Sequence, residues 1–209
     1  MTNSLLTICS ANLCRSPLAL AVIDTTLVGR SFHHAITLRS RGVDVESGRE
    51  ACEVALQVAR SHGVRTRLID QHRATALDAG ALAEADLVLT ADRRVRSRVV
   101  KLDPRAAERT FTFREAAALA RLVSRDDPER PHDLAGFAAA LNDNRGLTDL
   151  PALERPLVRP WHRLRVHAHD VPDAHADHQV SHRVVYRTLV PAVEELAAHL
   201  TAFASAPRR

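Results

Sequence analysis

No run of apolar residues in this chain approaches the roughly 20 needed to span a bilayer. Met1-Thr2-Asn3-Ser4 leads into a core-like stretch with neither a basic start nor a small-residue cleavage site. These absences argue against membrane insertion and point to the cytoplasm. Cysteine is nearly missing, three in 209 residues. An odd number, two of them in one short stretch, makes no disulfide framework and suits a reducing compartment. Lys101 is the lone lysine, so the net charge of +4 rests on arginine. That excess is too small and dispersed to argue for a nucleic-acid partner, and Arg93-Arg94-Val95-Arg96-Ser97-Arg98 reads as a solvated helix face. Aromatic residues make up only 3%, yet 45% hydrophobic and 26% charged residues are an ordinary globular mix, which excludes disorder across the whole chain. The length suits a single domain, 1–209, with room for an insertion.

What is present is concentrated in Thr7-Ile8-Cys9-Ser10-Ala11-Asn12-Leu13-Cys14-Arg15-Ser16-Pro17. A cysteine and an arginine stand at the two ends of a short loop, between an apolar strand-like run and a helix start. Such a loop aims backbone N–H groups at one point, where an anion also feels the positive end of the helix dipole. The same surroundings favour the Cys9 thiolate and make it a nucleophile. Arg15 offers a planar fork that grips two phosphoryl oxygens. Ser10, Ala11, Asn12, Leu13, Cys14 and Ser16 are the expected substrate-binding residues of the cradle, and Ser16 is placed to donate to the cysteine sulfur.

Strands and helices alternate along the chain. Ser4 to Cys9 reads as a strand, Pro17 opens a helix to about Val28, and a second strand follows near Ala35 to Arg41. Arg49 to His62 is an amphipathic helix that Gly63 stops. Ala85 to Thr90 is a buried strand, Arg93 to Leu102 a helix, and Thr110 to Phe113 a strand before a helix from Glu115 to about Val123. The last helix is expected from about Val180 to Ala202. This is an α/β pattern: a parallel sheet covered on both faces, with the site at the carboxyl end of the first strand. Residues 121–167, rich in proline and charge, read as an inserted loop with a helix from His132 to Leu141, either a lid or surface decoration.

The Cys9-to-Pro17 stretch resembles the active-site loop of the low-molecular-weight protein tyrosine phosphatases, whose signature runs Cys, any residue, Gly, Asn, Ile, Cys, Arg, Ser, Pro. Leu13 stands for the isoleucine and Ala11 for the glycine, a methyl group that costs roughly 1 kcal/mol if the position needs positive φ. Ser40-Arg41-Gly42-Val43, His72-Arg73-Ala74 and Ala85 to Leu89 resemble further family segments. The resemblance covers about 1–120 and 168–205. It implies a flavodoxin-like three-layer fold with a four-stranded parallel sheet in order 2-1-3-4. It further implies that Asn12 and Ser40 support the loop, and that Cys14 is the redox partner of Cys9.

The family takes its general acid from an Asp-Pro pair near the C-terminus. Asp173, in Asp170-Val171-Pro172-Asp173-Ala174-His175, aligns with it, ahead of Asp127, Asp170 and the helix-ending Asp103; Ala174 replaces the proline. His175 sits where the family flanks the substrate ring. His175, His178 and His182 recur at helix spacing after His167 and His169, but no cysteine joins them in sequence and the chemistry needs no ion, so neither a metal site nor a cofactor is expected. The expected activity is hydrolysis of a phosphorylated protein or small phosphomonoester, phosphotyrosine by resemblance, with Cys9, Arg15 and Asp173 as catalytic residues. A thiol-dependent arsenate reductase of the same fold, or a phosphate-binding module without catalysis, are the alternatives.

Overall fold

A strand buried on both faces belongs in the middle of a covered sheet, and the first strand, β1 (Asn3–Cys9), is buried from Ser4 to Cys9. In the computed structural model, which describes residues 3–124, 133–148, 153–156, 163–176 and 180–204, the chain continues through α1 (Arg15–Leu27), β2 (Ile36–Gly42), α2 (Glu53–Ser61), α3 (Arg67–Asp70) and α4 (Ala79–Ala83). Next come β3 (Leu87–Thr90), α5 (Arg93–Leu102), β4 (Thr110–Thr112), α6 (Phe113–Ala120) and α7 (Leu134–Asp143). The strands β5 (Leu153–Pro156) and β6 (Arg163–Val166) and the long α8 (His182–Ala204) follow.

The main sheet has the order β2-β1-β3-β4, with every pairing parallel. Side chains alternate across it with period two. Leu5, Cys9, Leu87 and Leu89 enter a core shared with α1, α6, α7 and α8, whereas Leu6, Ile8 and Val88 pack on Val95 and Val99 of α5. The loop after β1 therefore opens at the carboxyl ends of the two central strands, where an open α/β sheet leaves a crevice.

Several boundaries differ from the sequence reading, each for a local reason. α2 starts at Glu53, not Arg49, because the preceding backbone is paired elsewhere: Ala74 N–H donates to Arg49 O (2.7 Å) and Cys52 N–H to Leu13 O (2.7 Å). β4 ends at Thr112 because a reciprocal capping box starts α6 there, with Glu115 N donating to Thr112 Oγ1 and Thr112 N to Glu115 Oε2. α8 begins at His182 and continues through Pro191. Inside 121–167, α7 is neither lid nor decoration. Its Leu134, Phe137 and Leu141 are fully buried in the main core, and Phe137 packs on Phe203 of α8, ring centroids 5.3 Å apart. The antiparallel pair β5–β6 lies in the stretch read as an inserted loop, although Arg163-Leu164-Arg165-Val166 alternates polar and apolar residues.

Candidate active site

Cys9 ends β1 and is 2% exposed. Ser16 Oγ, in the first turn of α1, donates to its sulfur at 3.1 Å. Between them the chain makes one unusual move: among the described residues Asn12 is the one non-glycine with positive φ, +56°. Asparagine tolerates this left-handed geometry, and here its side chain also locks it. Asn12 Nδ2 donates to Ser16 Oγ (2.9 Å) and Ser40 Oγ (3.1 Å), while Oδ1 accepts from Thr75 N (2.9 Å). The Asn12 carbonyl meets His72 Nε2 at 2.6 Å. The concern over Ala11 thus falls away, because the residue with positive φ is its neighbour. Gly42 lets the β2 end approach the loop: a Cβ there would lie 2.4 Å from Ser10 O and 2.8 Å from Asn12 N.

Arg15 begins α1 and is 3% exposed. Its Nη1 donates to Asp92 Oδ2 (2.7 Å) and Val171 O (3.0 Å), and its Nη2 to Asp173 Oδ2. Burial lowers the Arg15 pKa, but Cys9, Asp173 and Asp92 together outweigh burial and raise it, so the guanidinium stays charged. The segment carrying Asp173 is itself anchored. Val171 N donates to Ala91 O (2.9 Å), and Asp170 Oδ1 accepts from Arg93 N (2.9 Å) with an ion pair to the same arginine's side chain. The arrangement assembles a sulfur nucleophile with a hydroxyl donor, a charged fork, and a carboxylate across that fork: the parts of a phosphoryl-transfer site.

The family model described as low molecular weight phosphotyrosine protein phosphatase matches residues 4–142. The chain belongs to this family. The probable low molecular weight protein-tyrosine-phosphatase EpsP of Ralstonia nicotianae is 34% identical over 92 residues, 44% of this chain and 57% of EpsP. The chain thus spans little more than half the length of that relative. The probable low molecular weight protein-tyrosine-phosphatase AmsI of Erwinia amylovora is 30% identical over 113 residues, 54% of this chain and 72% of AmsI. Among solved structures, Erwinia amylovora AmsI superposes with a TM-score of 0.59 at 19% identity, covering 98% of this chain and 95% of that one. YfkJ from Bacillus subtilis gives 0.62 at 16%, covering 95% and 94%. Identities this low show the fold alone, a four-stranded parallel α/β sheet. The match to the family model takes in α7 and stops before Asp173.

In this low-molecular-weight phosphatase family member the fold brings Cys9, Arg15, Asp173 and the 10–16 loop to one place. Ser10 Oγ reaches Asp44 Oδ2 (3.3 Å). Asp103 instead caps the turn after α5 by accepting from Arg105 N (3.0 Å), and Asp127 and His178 lie outside the described residues. Two residues have roles that the sequence does not reveal. Asp92 was hidden as the N-cap of α5, accepting from Val95 N (2.8 Å); its position just after a core strand ending beside the loop was the available signal. His72 was noted only as a match, and burial pushes its pKa below the ordinary value. One reading needs correction: that no cysteine joins the histidines. Cys14 and Cys52 lie with His175 and His182, their ligating atoms all within 4.8 Å of one another. His175, expected beside the substrate, turns Nε2 to His182 Nε2 at 3.3 Å.

Proposed function

We propose that the chain hydrolyses phosphomonoesters, with protein phosphotyrosine as the substrate class, and that it works in the reducing cytoplasm. No helix among the described residues is long and apolar enough to cross a membrane, and the three cysteines are free thiols. The observation that carries the reading is the Arg15 fork, held by Asp92 on one side and Asp173 on the other, at the mouth of the loop that starts at Cys9. The names of EpsP and AmsI support the substrate class.

In the first step the Cys9 thiolate attacks phosphorus in line with the leaving oxygen, forming an S–P bond as the P–O bond breaks. Arg15 and the N–H groups of the loop and of the first turn of α1 hold the equatorial oxygens. The phosphoryl group takes the guanidinium edge that otherwise binds Asp173, so the carboxylate is released close to the leaving oxygen, takes up a proton from solvent and delivers it to that oxygen. In the second step the Asp173 carboxylate removes a proton from water, whose oxygen displaces sulfur to give inorganic phosphate. The Ser16 hydroxyl, 3.1 Å from the sulfur, stabilises the departing thiolate.

Cys9→Ser should abolish turnover of an aryl phosphate while phosphate-type anions still bind. Asp173→Ala should slow esters of high-pKa alcohols by about 10²–10⁴-fold and spare activated aryl phosphates. Hydrolysis by a clean Cys9→Ser protein, or equal loss on both ester types, overturns the mechanism. Turnover of arsenate with thiol, but of no phosphate ester, moves the function to reduction.

A further inference from the structure

Four side chains that share no sequence motif converge beside the phosphate loop. Cys14 is the N-cap of α1 and Cys52 the N-cap of α2; His175 follows Asp173 by two positions, and His182 is the first residue of α8. Their Sγ and imidazole nitrogen atoms all lie within 4.8 Å of one another. Cys52 Sγ is 3.3 Å from His182 Nε2, and His182 Nε2 is 3.3 Å from His175 Nε2.

We propose that Cys14, Cys52, His175 and His182 form a tetrahedral Cys2His2 site for zinc that clamps the Asp173 segment to the phosphate loop.

Three features support it. The first is geometric. Zinc bonds of about 2.0–2.1 Å to nitrogen and 2.3 Å to sulfur put neighbouring ligand atoms at tetrahedral corners about 3.3–3.8 Å apart. The two 3.3 Å separations already have that size, and the other corners need only side-chain adjustment. The second is chemical. Two imidazole Nε2 atoms facing each other have at most one proton between them, whereas both lone pairs are used when they point at a shared cation. Two thiolates and two neutral imidazoles also balance the 2+ charge, so the half-buried cluster carries no net charge, and thiolate with imidazole selects zinc over the hard, oxygen-seeking ions. The third is the backbone support of the cluster. The Cys52 N–H donates to Leu13 O at 2.7 Å, which fixes Cys52 beside Cys14 independently of either sulfur.

Four protein ligands make a closed, structural site, with no open position for water activation. Its effect falls on placement. One ligand adjoins Arg15 and another stands two residues from Asp173, so a bound ion ties the two halves of the catalytic site together. Ala174 occupies the place where the family has a rigid proline, and the clamp replaces that rigidity. Binding itself breaks no bond other than the S–H bonds of whichever thiols are still protonated, whose protons go to solvent.

The test uses the full chain, purified under reductant, stripped with chelator and titrated with Zn²⁺ and with Co²⁺. One equivalent per chain is expected, with a rise in Tm and, for cobalt, the intense visible bands of a tetrahedral ion plus thiolate-to-cobalt charge transfer. Cys52→Ser and His182→Ala should each weaken binding by more than the 10–100-fold typical of an outer-shell partner, and each should keep the wild-type far-ultraviolet circular dichroism. Absence of stoichiometric binding overturns the site. So does a cobalt spectrum without thiolate charge transfer, or full affinity in both variants. None of these readouts depends on turnover, so the outcome is independent of the phosphatase reading.

Discussion

Removing the Asn12 side chain probes a point where backbone geometry and side-chain bonding are asked of the same residue. Asn12 is fully buried, holds φ +56° and makes three side-chain hydrogen bonds, to Ser16, Ser40 and Thr75. Each is worth roughly 1 kcal/mol net, and the Thr75 N–H left without a partner keeps the loss from being smaller. Alanine in the left-handed region adds about 1 kcal/mol. Asn12→Ala should therefore cost about 4 kcal/mol, which for a chain of this size lowers Tm by roughly 8–16 °C. Asn12→Gly loses the same bonds but is free of the backbone penalty, so it should be about 1 kcal/mol milder than alanine. Urea unfolding followed by circular dichroism measures both, and aryl phosphate turnover under native conditions reports the loop, with both variants reduced because Ser16 loses its brace. A cost below about 1 kcal/mol for Asn12→Ala, or alanine no worse than glycine, refutes the reasoning.

Gly42→Ala inserts a methyl carbon 2.4 Å from Ser10 O and 2.5 Å from Val45 Cγ2. The loop backbone has to move, so roughly 1–3 kcal/mol of stability should be lost, as in other overpacked sites, together with phosphate affinity; wild-type inhibition by inorganic phosphate speaks against the close approach. For His72, burial depresses the folded-state pKa below the ordinary 6.5. Below pH 6.5 the unfolded chain takes up that proton before the folded one does, so stability falls on acidification until the folded pKa is passed. His72→Gln should flatten the wild-type decline in urea midpoints over that range, and parallel curves exclude the contribution.

Local pattern was enough for the β1–loop–α1 unit, because a nucleophile, an arginine and a helix-starting proline lie within nine residues and need no distant partner to be recognised. The same holds for the parallel α/β class, since buried apolar runs separated by amphipathic stretches leave few other ways to cover both faces of a sheet. Asp173 could be singled out through resemblance, but its bond to Arg15 spans 158 positions and exists only because Val171 and Asp170 are tied to the start of α5. Asp92 carried no signal of its own beyond preceding a helix, and only the neighbouring β1 and β3 ends turn its second oxygen to Arg15. The early end of β4 and late start of α2 came from partners that periodicity does not encode. The four-ligand cluster shows the limit most clearly: Cys14, Cys52, His175 and His182 are spread over most of the chain, with spacings that signal nothing. Closure of α2 and α8 around the N-terminus of α1 is what brings their sulfur and nitrogen atoms together, and such long-range proximity is a property of the packed fold alone.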